Sequence, residues 1–209
     1  MSAELVPKID FSKLKCFPEL DGESNKIVTK AFLESAHNVI DSIESFGMLF
    51  TPIVKDMRGN VKRLEAKYNE NDKAFHYLED LILCDSQGNE NSNAFDTVTE
   101  GLLWLKRALE MIERFFRNML DDTTCSDNVK HLLKKAYEEA LLPYHGFFAQ
   151  KGFQVLHHYV PSRTALLGSS ETNNSNIVAL KTFLVTFRAN IDHINAFFEA
   201  NNLNKTYKV

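Results

Sequence analysis

The sequence predicts one all-α domain, and three observations predict it. Apolar residues recur three and four apart through almost every segment of the 209-residue chain. Only 8 Gly and 5 Pro are present, too few turn formers for a chain of many short strands. No internal repeat and no long linker divides the chain, and its length suits a single domain over 1–209.

Residues 1–24 carry Pro7 and Pro18 and read as an N-terminal arm. Ile27, Ala31, Val39, Ile43 and Phe46 form the stripe of a first helix, which Gly47 ends. Thr51-Pro52 predicts an N-cap followed by proline in the first helical position. The helix they open carries Ile53, Met57, Val61, Leu64 and Tyr68 on one side. Asn71-Asp72 is expected to cap a third helix through Phe75, Leu78, Leu81 and Ile82, stopped by a polar surface loop at 85–93.

A fourth helix is the most informative. Phe95, Val98, Leu102, Leu105, Leu109, Ile112, Phe116 and Met119 make one clean stripe. At ~100° per residue, Trp104, Met111 and Phe115 fall roughly 120° or more from its centre. Lys106, Glu110, Glu113 and Arg117 fill the remaining arc. A helix apolar on two faces must be covered from two sides, so helices are layered with this one near the middle. Beyond a turn at 121–127, Val129 to Leu142 is helical, and Pro143 opens another helix that stops before Pro161. A short helix over Arg163 to Leu167, a loop at 168–176 and a last helix with Ile177, Leu180, Leu184, Phe187, Ile191, Ile194 and Phe198 complete the chain.

Composition narrows the function. A formal charge of -4 argues against a broad electrostatic grip on nucleic acid and against a polybasic membrane anchor. Three widely spaced cysteines, Cys16, Cys84 and Cys125, predict no disulfide framework and fit a reducing, cytoplasmic compartment. The N-terminus lacks a signal-peptide core, and no stretch approaches ~18 uninterrupted apolar residues, so no transmembrane helix is expected. The 16 Phe exceed what a minimal core requires.

No catalytic signature is complete among the residues that would carry one. The glycines form no dinucleotide loop, phosphate loop or nucleophile elbow. One Glu-x-x-His pair, Glu34 to His37, falls short of the two that a di-iron bundle needs. His157 and His158 are adjacent and point to different helix faces, and no Cys/His spacing resembles a zinc site. The chain therefore reads as a non-enzyme with no metal and no cofactor.

What remains is a constellation. Asp56, Asn60 and Arg63 stand at i, i+4 and i+7 on the second helix: an acceptor, an amide and a fixed-charge donor in one row. Such a row suits a hydroxyl-rich ligand, and equally a solvated face with a loose Asp–Arg attraction of ~0.3–0.5 kcal/mol. Gly59, inside this helix at a cost of ~1 kcal/mol relative to Ala, hints at close approach by another backbone. Trp104, the only tryptophan, offers a flat face to a sugar ring or simply packs in a second layer. His145, in the first turn of the helix opened by Pro143, would be kept neutral by the positive end of the helix dipole.

Together these segments resemble the glycolipid transfer protein family. The matching stretches are FTPIVKDMRGNVKRLEAKY at 50–68, LLWLKRALEMIERFF at 102–116, AYEEALLPYHGFFAQKGF at 136–153 and the terminal NKTYKV. Asp-x-x-x-Asn, Trp-Leu-Lys-Arg and Tyr-His-Gly stand in the family's order and spacing. The resemblance implies a two-layer sandwich of about eight helices around an apolar pocket for lipid chains. It implies non-enzymatic binding and intermembrane transfer of a glycosphingolipid by a monomer that touches membranes transiently. Asp56 and Asn60, with Arg63, would hold the sugar, and Asp56 would also take the ceramide amide N–H. Trp104 would stack under the first sugar, His145 would donate to the acyl carbonyl, and Tyr207 would flank the headgroup. Phe50, Ile53, Phe153, Phe183 and Phe187 are the candidate wall of the chain pocket.

Two departures stand out. The family usually has Lys at the position of Arg63, and many members have Trp, used in membrane docking, at the position of Phe147. A carrier of ceramide phosphate, as in a related branch, would need cations at the positions of Asn60 and Trp104. A lipid sensor or helical interaction protein that binds without shuttling is the alternative outside the transfer class.

Overall fold

The helix with two apolar faces has other helices packed against both. The structure, a computed structural model, describes residues 7–88, 97–168 and 170–209. Among these residues it has eight α-helices: α1 Thr29–Glu44, α2 Thr51–Glu70, α3 Leu78–Gly88, α4 Val98–Asp121, α5 Lys130–Ala140, α6 Phe147–Leu156, α7 Arg163–Leu167 and α8 Ser170–Ala200. They form an all-α, two-layer sandwich in which α4 touches α2, α3, α5 and α8. Thr97 caps α4, its hydroxyl accepting from the Glu100 N–H at 3.1 Å. The main stripe of Leu102, Leu105, Leu109, Ile112, Phe116 and Met119 is buried, and so are Met111 and Phe115 on the second face.

The charged arc of α4 is not a solvated face. Lys106 and Glu113 are buried, and Arg107 with them. Glu113 accepts from Arg117 Nε at 2.7 Å and from Arg188 of α8 at 3.1 Å. Lys106 Nζ donates to Asn195 of α8 at 2.7 Å, and burial lowers its pKa to about 8, with the Arg107 charge adding to the fall. Paired charges can occupy a helix interface that periodicity alone assigns to water.

The N-terminal segment is part of the core and not merely a lead-in. Phe17 stacks on Phe187 with ring centroids 4.3 Å apart, and Phe11 meets Phe116 edge-on at 5.1 Å. Buried Asn176 of α8 ties this segment down: its Oδ1 accepts from Phe11 N–H, and its Nδ2 donates to the carbonyls of Ile9 and Leu167, at 2.8, 2.8 and 3.1 Å. Asn176→Ala strands three buried backbone groups at ~1 kcal/mol or more each. The expected loss is about 3 kcal/mol, read as a lower urea midpoint at unchanged slope. The polar run at 168–176, predicted as a loop, is instead the start of α8 from Ser170, after Gly168 at φ +95° ends α7. Residue propensity is a weak prior that such tertiary anchoring overrides.

Four further boundaries differ from the sequence expectation. Thr51 is the first residue of α2 and not its cap, because a 3-10 turn over Met48–Phe50 runs straight into the helix. Residues 71–77 form a turn and α3 starts only at Leu78. There the chain pairs with the start of α1: Thr29 N–H donates to the His76 carbonyl and Leu78 N–H to that of Ile27, both at 2.9 Å. The loop predicted at 85–93 begins inside α3, where buried Asp85 accepts from the Thr99 amide and hydroxyl at 2.9 and 2.7 Å. Its residues 89–93, and Phe95, lie outside the described residues. Finally, the long helix expected from Pro143 is broken. A 3-10 turn at Leu142–Tyr144 is followed by extended His145 and Gly146, and α6 starts at Phe147. This break pairs with the chain's last residue, Val209 N–H donating to the Tyr144 carbonyl at 3.0 Å and Gly146 N–H to the Val209 carbonyl. A Cβ at Gly146 would lie 2.9 Å from that carbonyl oxygen, so the close approach requires glycine.

Candidate functional site

A cavity of about 670 Å³ opens between α2, α4 and α6, with the Leu141–His145 segment and Val209 closing its side. Ile53, Met57, Ala108, Met111, Ile112, Phe153 and Leu156 are among the apolar residues of its wall. A smaller apolar space of about 30 Å³ adjoins it, sharing Ile53, Met111, Ile112, Phe153 and Leu156 and adding Phe50. A few polar groups join this apolar wall, Asp56, Asn60, Arg63, Glu100 and His145 among them, which is the usual composition of a ligand pocket.

The row on α2 faces this cavity. Asn60 Nδ2 lies 3.4 Å from Asp56 Oδ2, and Arg63 Nη1 donates to Asn60 Oδ1 at 3.3 Å. The surrounding protein strips enough water from Asp56 to raise its pKa, with the Arg63 charge pulling the other way. An acceptor held in a water-poor wall favours a ligand that brings its own hydrogen-bond donor. Gly59 lies on the same wall and nothing stands within 4 Å of where its Cβ would be. The close helix approach occurs at Gly101 of α4, whose Cβ would meet the Asn60 carbonyl oxygen and Arg63 Cδ at 3.5 Å.

Trp104 of α4 lines the same cavity, its indole N–H donating to Glu100 Oε1 at 2.8 Å. The Trp104 ring lies 6.3 Å from the His145 ring and 6.2 Å from the Tyr207 ring. Behind it the Arg107 guanidinium lies over the Tyr144 ring at 3.5 Å and the Trp104 ring at 4.8 Å, and Arg107 Nη2 donates to the Lys205 carbonyl. The C-terminal segment is thereby fixed beside the indole.

His145 is not in the first turn of a helix but in extended backbone just before the N-cap of α6. Its pKa is nevertheless lowered, by burial and then by the Arg107 charge. Tyr137 Oη and His145 Nδ1 are 3.1 Å apart. With the phenol as donor, the neutral ring keeps its proton on Nε2. Tyr137 itself stacks on Phe153, rings 3.6 Å apart at 6°.

Asp56, Asn60, Arg63, Trp104 and His145 thus line one cavity with Ile53 and Phe153, Tyr207 stands beside Trp104, and Phe50 lines the smaller space. Phe183 and Phe187 correct the expected wall. They are fully buried among Phe11 and Phe17, on the side of the core that the N-terminal segment fills, and line neither space. Both lie on a continuous heptad-like stripe, and no local feature separates a stripe that meets other side chains from one that meets a void. Glu100, Tyr137 and Arg107 are the site residues that sequence reasoning missed. Glu100 had a legible signal, standing four residues before Trp104 and hence on its helix face; Arg107 and Tyr137 stand inside the matching stretches at 102–116 and 136–153, which gave them no role. Outside the cavity, α6 buries no residue, and Phe147 and Phe148 are 68% and 88% exposed.

Comparison with known proteins follows the same pattern. The family model described as glycolipid transfer protein matches residues 27–171. The glycolipid transfer protein of Danio rerio is 29% identical over 194 residues, covering 88% of this chain and 92% of that one. Among solved structures, that of FAPP2, described as selecting simple glycosphingolipids with the GLTP fold, superposes with a TM-score of 0.82 at 23% identity over 97% of each chain. Mouse ceramide-1-phosphate transfer protein superposes at 0.78 with 16% identity, over 95% of this chain and 97% of that one. These likenesses at low identity carry the fold alone.

Proposed function

Since the chain belongs to the glycolipid transfer protein family, we propose that it extracts a glycosphingolipid from one bilayer and releases it at another, with no bond made or broken. The observation that carries this reading is that the Asp56–Asn60–Arg63 row and Trp104 line one large, mostly apolar cavity. The row hydrogen-bonds the sugar hydroxyls, and the indole lies against the apolar face of the first sugar. Asp56 also accepts the ceramide amide N–H, while the Nε2–H of neutral His145 donates to the acyl carbonyl. Each CH₂ of the chains contributes ~0.8 kcal/mol when it leaves water. Membrane and cavity are both apolar, so net movement needs only a gradient.

The membrane contact is assigned to α6. Phe147, Phe148, Val155 and Tyr159 are exposed along it and the turn that follows, and an apolar face of this kind inserts at an interface without needing anionic lipid. Among the described residues no helix is long and apolar enough to cross a membrane. Cys16, Cys84 and Cys125 are free, exposed thiols, which supports placing the protein in the cytoplasm.

The test uses labelled glucosylceramide in donor vesicles and unlabelled phosphatidylcholine acceptors. A carrier moves many lipids per protein, at a rate little changed by phosphatidylserine or salt, and Phe147→Ala with Phe148→Ala slows it about tenfold. Stoichiometric uptake with no delivery would identify a sensor and overturn the carrier reading. A rate that climbs steeply with phosphatidylserine and collapses in salt would overturn the assignment of the docking face.

A further inference from the structure

We propose that Glu100 is the positioning residue of the sugar platform, its carboxylate holding the Trp104 indole in the plane against which the first sugar lies. The inference rests on the glycolipid reading above and names a residue that the family resemblance did not supply.

Thr97-Val98-Thr99-Glu100 has the pattern of a capping box at the start of α4. In that motif the fourth residue's side chain turns back to the N–H of the cap residue. Only half of the box is formed. The Glu100 N–H donates to the Thr97 hydroxyl at 3.1 Å, but the Glu100 carboxylate turns forward instead, and Oε1 accepts the Trp104 indole N–H at 2.8 Å. Glu100 is 2% exposed and lies on the cavity wall. A buried carboxylate that forgoes its helix cap is costly to keep unless its bonds do something else. What it does is remove the rotational freedom of an aromatic ring that lines the cavity.

The rest of the cradle is consistent with this role. Arg107 covers one side of the indole, its guanidinium carbon 4.8 Å from the ring, and the rings of His145 and Tyr207 stand at 6.3 and 6.2 Å. These contacts limit tilt, but none of them reaches the indole nitrogen. The bond to Glu100 is directional and charge-assisted, so it sets the angle of the ring in its own plane. Lys205 Nζ, 3.8 Å from Glu100 Oε2, steadies the second carboxylate oxygen from the C-terminal segment. A platform fixed before the sugar arrives spares the ligand the cost of ordering it.

Because Trp104 is the only tryptophan, a ¹⁵N–¹H correlation spectrum holds one indole resonance, which reports on this bond directly. Glu100→Leu is expected to move that resonance upfield and to weaken binding of glucosylceramide about tenfold, leaving ceramide of the same acyl chain bound as before. Glu100→Gln keeps an acceptor at the same reach and should stay within about threefold of the unmodified protein. Trp104→Ala combined with Glu100→Leu should bind no more weakly than Trp104→Ala alone. An unmoved indole resonance, an equal loss of both lipids, or losses that add in the double variant would overturn the proposal. If the unmodified protein binds ceramide as tightly as glucosylceramide, the sugar-site reading fails instead, and the indole resonance still decides the role of Glu100.

Discussion

Replacing Asp56 by valine is expected to abolish glycolipid transfer and to leave the protein as stable as before. Asp56 is the acceptor at the head of the α2 row, and burial raises its pKa, so its charged form is already disfavoured where it stands. Its nearest polar neighbour is an amide nitrogen 3.4 Å away, at the edge of hydrogen-bond range. Removing such a group costs the fold little, whereas it costs the ligand its acceptors for the sugar hydroxyl and the amide N–H. Two hydrogen bonds to a charged group contribute ~1.5–3 kcal/mol each, together a loss of about two to four powers of ten in affinity. The measurement is vesicle transfer of glucosylceramide beside a thermal unfolding curve. Trp104→Ala should lose transfer as well but less cleanly, because the indole also packs against Arg107 and removing a half-buried aromatic costs up to ~3 kcal/mol of stability. Near-normal transfer by Asp56→Val would remove the recognition site proposed above.

The second large effect concerns the charge of the headgroup. A phosphate carries one to two negative charges and needs several cationic or backbone donors when it leaves water. Lys55 and Arg63 line the cavity, but Asp56 and Glu100 line it too, so its wall offers no excess of positive charge. Asp56 repels a phosphate and accepts from a sugar hydroxyl, and the indole gives a hexose a flat surface that a phosphate cannot use. Ceramide phosphate is therefore expected to transfer at least tenfold more slowly than a monohexosyl ceramide of equal chain length. Asn60→Lys with Trp104→Arg should shift the preference towards the phosphate. The shift should grow when Glu100→Gln is added, since the introduced guanidinium would otherwise pair with that carboxylate one turn away. Equal transfer of both lipids by the unmodified protein would leave only a generic two-chain pocket.

The amino-acid sequence by itself determined whatever depends on a period of 3.6. The stripes of α2, α4 and α8 are where periodicity places them, because side chains three and four apart share a helix face in any surroundings. The same spacing put Asp56, Asn60 and Arg63 in one row, and the order of the family's motifs linked that row to Trp104 and His145. Only the tertiary structure decided what each stripe meets. Phe183 and Phe187 are buried against Phe11 and Phe17 of the N-terminal segment, while Met111 and Ile112, on another apolar helix, face a cavity. It also decided which charges lie inside: Glu113 is enclosed because Arg188 arrives from 75 residues away to pair with it. The break after Tyr144 and the late start of α3 have the same origin, since their backbone partners lie at 209 and at 27–29. Hydrogen bonds between residues distant in the chain have no local period, so they become visible only when the helices are packed.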